Sequence, residues 1–285
     1  MSPVAKLAGF AAGLALVSAG AAFAGSVADV HPGRPSAAAG AGTRAMHGMG
    51  SDETEPAAKT VRGLAVSDEG LTLALARDTA PAGRRSDLRF RILDRRGRAV
   101  RAFDVEHTKR MHLIVVRRDF AGFQHLHPTR SADGTWSVPL TLRDAGAYRV
   151  FADFSTGGRA HTLAADLLVD GTVRSRPLPA PAASTTVDGM RVTLNGAPSR
   201  AGAESDLRFT VTRGGRPVAV QDYLGAKGHL VALRDGDLAF LHVHPDESAL
   251  RFMAEFPSAG RYRLFLQFRV DGRVHTAELT REVSR

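Results

Sequence analysis

Gly146-Ala-Tyr-Arg-Val-Phe-Ala-Asp-Phe154 returns later in the chain as Gly260-Arg-Tyr-Arg-Leu-Phe-Leu-Gln-Phe268. Each copy is short, rich in aromatic and β-branched or aliphatic side chains, and opened by a glycine, as expected of a strand that leaves a turn. Ser86-Asp-Leu-Arg-Phe90 recurs letter for letter as Ser205-Asp-Leu-Arg-Phe209, and Arg159-Ala-His-Thr162 returns as Arg273-Val-His-Thr276. The chain is one unit written twice.

The segments around these repeats share the same character. Leu71 to Ala76 is apolar, Asp87-Leu-Arg-Phe-Arg-Ile-Leu93 alternates polar with apolar, and Arg96-Gly97 marks a turn. Met111 to Val116 is a compact β-branched run, Trp136 to Leu142 alternates again, and Gly157-Gly158 makes a hairpin into Ala160 to Val169. These are signals of half-buried strands, and no segment has a helical period. About eight or nine strands in roughly 110 residues predict an immunoglobulin-like antiparallel sandwich. The repeat therefore predicts an all-β chain of two tandem sandwiches.

Residues 1–24 read as a secretory signal: Lys6 supplies the positive start, Leu7 to Val17 the apolar stretch, and Ala22-Phe23-Ala24 the cleavage site. An uncleaved membrane anchor is the alternative reading of the same segment. Residues 25–59, rich in Ala, Gly, Ser, Pro and acidic side chains, read as a disordered tether. Domain 1 spans 60–173, a linker in which Pro177, Pro179 and Pro181 alternate with small residues spans 174–183, and domain 2 spans 184–285. The protein is expected outside the cytoplasm: secreted, periplasmic or at the cell surface.

The net charge of +9 invites a nucleic-acid partner, but the basic residues are spread along the chain without aromatic interleaving or a helix-turn-helix pattern. No nucleic acid is expected. The chain has no cysteine. Disulfides, thiolate zinc sites, iron–sulfur clusters and cysteine-ligated copper are thereby excluded.

Histidine is the informative residue. Met111-His-Leu-Ile-Val-Val runs to Phe123-Gln-His-Leu-His-Pro128, and Gly228-His-Leu-Val-Ala-Leu runs to Phe240-Leu-His-Val-His-Pro245. His112, His125 and His127 thus map onto His229, His242 and His244 by one constant offset. In the second copy, Asp235-Gly236 favours a two-residue hairpin turn, which sets Arg234 against Asp237 and His229 opposite His242. Period two then places His244 beside His242 on the same face. In the first copy the same register needs a turn at Arg118-Asp119. Three imidazoles so arranged suit copper or zinc, with one site expected per domain. Weaker ligand candidates are His161 and His275 on the last strands, where His275 faces Phe268, and Met46, His47 and Met49 in the tether.

These stretches, with Tyr223-Leu-Gly-Ala226, resemble those of exported bacterial proteins with tandem immunoglobulin-like domains, described as heavy-metal-binding or YtkA-like. A more distant likeness is to CopC-like periplasmic copper carriers, whose site uses a histidine at the mature N-terminus; this chain would instead begin at Gly25. The resemblance implies capture, buffering or delivery of copper or zinc. The alternative is a non-catalytic extracellular module that meets a cell-surface or periplasmic protein, its histidines structural. An enzyme is not expected, a three-histidine zinc hydrolase being the one catalytic variant considered.

Overall fold

Strands form where the sequence alternates. Along Arg85–Leu93, Leu88, Phe90 and Ile92 are buried while Arg85, Asp87, Arg89 and Arg91 face solvent. The structure, a computed structural model, describes residues 61–241, 243–246 and 248–285, and their regular structure is entirely β. The expected signal segment, tether and Met46/His47/Met49 lie outside the described residues, as does His242. The described residues belong to one compact unit.

In the first sandwich one sheet is ordered β1-β2-β4-β8-β7 and the other β3-β10-β9-β5-β6. Its strands are β1 (Ser67–Asp68), β2 (Leu71–Leu75), β3 (Thr79–Ala80), β4 (Arg85–Leu93), β5 (His112–Arg117) and β6 (Gln124–Leu126). They continue with β7 (Thr129–Arg130), β8 (Trp136–Thr141), β9 (Gly146–Thr156) and β10 (Arg159–Val169). The second sandwich repeats the plan, with sheets β11-β12-β14-β19-β18 and β13-β21-β20-β16-β17, and β15 appended to β14. Its strands open with β11 (Ser184–Val187), β12 (Met190–Asn195), β13 (Ser199–Arg200), β14 (Glu204–Arg213), β15 (Arg216–Pro217) and β16 (Gly228–Arg234). They close with β17 (Phe240–Leu241), β18 (His244–Pro245), β19 (Arg251–Glu255), β20 (Gly260–Val270) and β21 (Arg273–Ser284).

The immunoglobulin-like expectation holds in detail. Short β3 and β13 each run parallel to the last strand of their sandwich, while the long strands pair antiparallel. Tyr148 near the start of β9 donates its hydroxyl to the Asp144 carbonyl at 2.8 Å, and Tyr262 of β20 donates to Ser258 at 3.0 Å. Each is the tyrosine corner of immunoglobulin-like sandwiches, which ties the strand to the turn before it.

Two cores fill the sandwiches, one around Phe90, Trp136 and Tyr148, the other around Phe252, Phe256 and Tyr262. A third cluster joins them. Ile114, Val116 and Phe151 of the first sandwich pack with Val231, Leu233, Phe240 and Phe265 of the second. This explains why every residue of β5 is buried, whereas a half-buried strand alternates. Leu113 and Val115 point into their own core while Ile114 and Val116 point into the seam. β16 follows the same rule, with Leu230 and Ala232 inward and Val231 and Leu233 on the seam.

The seam is pseudo-twofold, as a contact between two copies of one surface should be. Phe123 of the first sandwich stacks on Phe265 of the second at 4.0 Å between centroids, and Phe151 of the first meets Phe240 of the second at 5.5 Å. In the repeat, Phe123 corresponds to Phe240 and Phe151 to Phe265, so the two contacts are mirror uses of the same pair.

Candidate metal centre

The seam-facing row of β5 opens with His112 and Ile114, and that of β16 with His229 and Val231. Each histidine therefore sits at the rim of the buried seam, 8% exposed. The hairpin that carries the partner histidines differs from the predicted one. Ile114 pairs with His125, and Leu233 pairs with Phe240, a shift of two residues from the expected register in both copies. The reason is local. Leu238 and Phe120 turn into the seam core at positive φ, and Asp237 and Asp119 ion-pair with Arg234 and Arg117 across the enlarged loops. Burying Leu238, which is 1% exposed, outweighs the tighter Asp235-Gly236 turn. A two-residue shift keeps each side chain on its face, so the predicted facing survives the wrong register.

In the first sandwich, the ring nitrogens offered by His112, His125 and His127 lie within 4.8 Å of one another. Ring centroids are 5.2 Å apart for His112 and His125, 5.0 Å for His112 and His127, and 4.8 Å for His125 and His127. His229 of the second sandwich joins this group, its ring 6.2 Å from that of His112 and 6.0 Å from that of His125. His107 stands over it at 5.4 Å. His107, His112, His125, His127 and His229 thus make one cluster across the seam, while His242, which the expected second-domain centre needs, lies outside the described residues. His244 leaves the seam sheet at the backbone level, pairing with Met253 in the opposite sheet.

Proton positions follow from the partners. His112 Nε2 lies 3.2 Å from the Glu106 carbonyl, which can only accept, so Nε2 carries the proton and Nδ1 a lone pair. His125 Nδ1 lies 2.8 Å from Gln267 Oε1, while Gln267 Nε2 donates to Thr276, so His125 Nε2 also carries a lone pair. Those two nitrogens face each other at 3.0 Å. With neutral rings there is no proton between them, and the contact is repulsive unless a cation is shared. His127 Nε2 adds a third buried nitrogen without a hydrogen-bond partner.

A proton is a poor candidate for the shared cation. Burial, then the neighbouring imidazoles His112, His127 and His229, holds His125 well below the ordinary histidine range. Burial likewise lowers His112, and brings His127 and His229 each down to about 4. Neutral imidazole is the metal-binding form. Two nitrogens on a tetrahedral zinc lie about 3.3 Å apart given Zn–N bonds near 2.0–2.1 Å, close to the spacing seen. The cavity lined by His107, His112, His125, Asp153 and His229 measures about 50 Å³, room for an ion and a water but not an organic ligand.

His161 and His275 lie elsewhere. His161 stacks on Phe154 at 5.5 Å with Glu69 3.5 Å away, and His275 packs on Phe268 at 5.6 Å with Asp188 at 2.6 Å. His107, Gln267 and Asp153 were not foreseen. Asp153 is the cross-strand partner of His112 and accepts from Thr162, as Gln267 partners His229 and donates to Thr276. A cross-strand count from His112 and His229 into the repeated strand quoted at the outset would have found both.

Comparison with known proteins gives a family and a set of remote structures. The family described as Domain of unknown function (DUF8832) matches residues 65–171 and 185–285. No curated protein matches the chain. Among solved structures, the Escherichia coli adhesin FdeC is 19% identical with a TM-score of 0.28, over 78% of this chain and 66% of that one. A Salmonella alpha-2-macroglobulin is 13% identical with a TM-score of 0.28, over 80% of this chain and 15% of that one. The Yersinia pseudotuberculosis adhesin InvE is 12% identical with a TM-score of 0.23, over 74% of this chain and 58% of that one. At these scores the likeness carries no functional information. Among the described residues no helix is long and apolar enough to cross a membrane.

Proposed function

We propose that this chain, which belongs to the DUF8832 family, is an exported metal-binding protein that holds copper or zinc between its two sandwiches. The observation that carries this reading is the 3.0 Å approach of His112 Nδ1 to His125 Nε2, whose opposite ring nitrogens meet the Glu106 carbonyl and Gln267 Oε1. His127 Nε2, buried without a hydrogen-bond partner, supports it. His112, His125 and His127 would be the ligands, and imidazole donors select zinc or copper over calcium or magnesium. The bound ion would supply a cationic centre in a site too small for substrate, which favours storage or delivery over hydrolysis. The test is calorimetric titration of Zn(II) and Cu(II) into the full chain. Tight binding that is lost in His112→Ala and His125→Ala is expected, and absence of tight binding to the parent chain would overturn the reading.

The competing reading is a non-catalytic interaction module whose histidines only close the seam. The bond from His125 to Gln267, which crosses from one sandwich to the other, favours it. Under that reading the same substitutions lower the melting temperature equally with and without metal.

A further inference from the structure

We infer that the metal centre belongs to both sandwiches: His229 supplies a fourth imidazole, and Gln267 positions His125 from across the seam. This rests on the metal reading above. The two histidines on the seam rows are held in matched ways. His112 Nε2 donates to the carbonyl of Glu106, and His229 Nε2 donates to the carbonyl of Tyr223 at 3.0 Å. Both carbonyls sit in equivalent four-residue loops, 106–109 and 223–226, each closed by reciprocal backbone bonds between its ends. The same bond therefore leaves Nδ1 of each ring as the metal-capable nitrogen.

The loops also come close across the seam, the Thr108 methyl group lying 3.7 Å from where a side chain at Gly225 would begin. The rings of His229 and His112 lie 6.2 Å apart. Four imidazoles close the coordination sphere of a tetrahedral ion, whereas three leave a position for water. A closed sphere suits a protein that holds an ion and does no chemistry with it.

Gln267 acts on the ion through His125. Its side chain is 8% exposed, partnered on one side by Thr276 and on the other by His125, so it cannot turn away to water. A hydrogen-bond acceptor on the far nitrogen of a ligating imidazole fixes the tautomer and the ring plane, and losing it typically costs roughly 10–100-fold in affinity. Loading the centre would accordingly tie β5 and β6 of one sandwich to β16 and β20 of the other.

The experiment titrates Zn(II) into the full chain and into His229→Ala, His229→Gln, Gln267→Leu and Gln267→Glu, with Cu(II) electron paramagnetic resonance alongside. Zinc affinity should fall more than about 10-fold in both His229 variants, and roughly 10–100-fold in Gln267→Leu. Gln267→Glu should bind more tightly than the parent, because a carboxylate raises ligand basicity. The nitrogen hyperfine pattern should change from four imidazoles to three when His229 is lost. His229→Gln keeps an amide able to reach the Tyr223 carbonyl and serves if the alanine variant misfolds. Parent-like affinity in the His229 variants and Gln267→Leu would overturn the inference while leaving the metal reading intact. A parent chain that binds neither metal would overturn both.

Discussion

The two sandwiches share strand order, hairpin register, tyrosine corner and seam phenylalanines, yet they bring different chemistry to the seam. Asp153 in the first stands where Gln267 stands in the second, and His107 and Thr108 stand where Leu224 and Gly225 stand. The loop comparison is informative, because both loops need left-handed backbone. Thr108 adopts φ 68°, where a β-branched residue is strained, while Gly225 adopts φ 81° freely. The loop that carries the extra histidine holds two non-glycine residues, His107 and Thr108, at positive φ where the other holds one, Leu224, and such strain is common at functional sites. Repetition supplies a symmetric frame, and the differences between the repeats aim it at one centre.

The comparison can be broken most forcefully at the frame. Phe151→Ala and Phe265→Ala remove equivalent, fully buried seam side chains and should each cost about 3–5 kcal/mol, by urea unfolding. A cost confined to one of them would mean that the seam is not a shared core.

The next effect is pH dependence in the metal-free chain. His127 and His229 have folded pKa values of about 4, below the ordinary value near 6.5 that the unfolded chain regains. Between these limits the unfolded state binds more protons, so stability is present above about pH 6.5 and lost as pH falls through about 4. Urea midpoints at pH 7.5, 6 and 4.5 should decline in that order. Zinc affinity should weaken over the same window because the ligands must be neutral. A flat profile would contradict the buried neutral cluster.

The smallest effect sharpens the loop contrast. Thr108→Gly should stabilise by up to about 1 kcal/mol, as relief of left-handed strain exceeds the added chain entropy, whereas Gly225→Thr should destabilise by about 1–3 kcal/mol. Opposite signs at the two positions, read from thermal melts, would support strain at Thr108. A destabilising Thr108→Gly would show that packing of the threonine side chain outweighs the strain.

The sandwiches were legible in the sequence because alternation and repetition are local signals. Leu88, Phe90 and Ile92 announce their own burial. The facing of His112, His125 and His229 was legible too, since a two-residue error in register leaves side chains on their faces. The register itself was not, because burial of Phe120 and Leu238 in the seam is a tertiary event that overrides the Asp235-Gly236 turn signal. Nor was the approach of His229 to the histidines of the first sandwich. It depends on Ile114 and Val116 meeting Val231 and Leu233, and a doubly buried strand in the sequence looks the same whichever surface covers its second face. His161 and His275, by contrast, sit against Phe154 and Phe268 as hairpin counting from Asp271-Gly272 indicated for His275.

The central claim is a single ion at the seam, and stoichiometry tests it most directly. Zn(II) titrated into the tag-free full chain at pH 7.5 should saturate one high-affinity site per molecule, and His125→Ala should abolish it. Two equivalent sites would instead support one centre per domain, and no saturable binding would leave the histidines as parts of the seam alone.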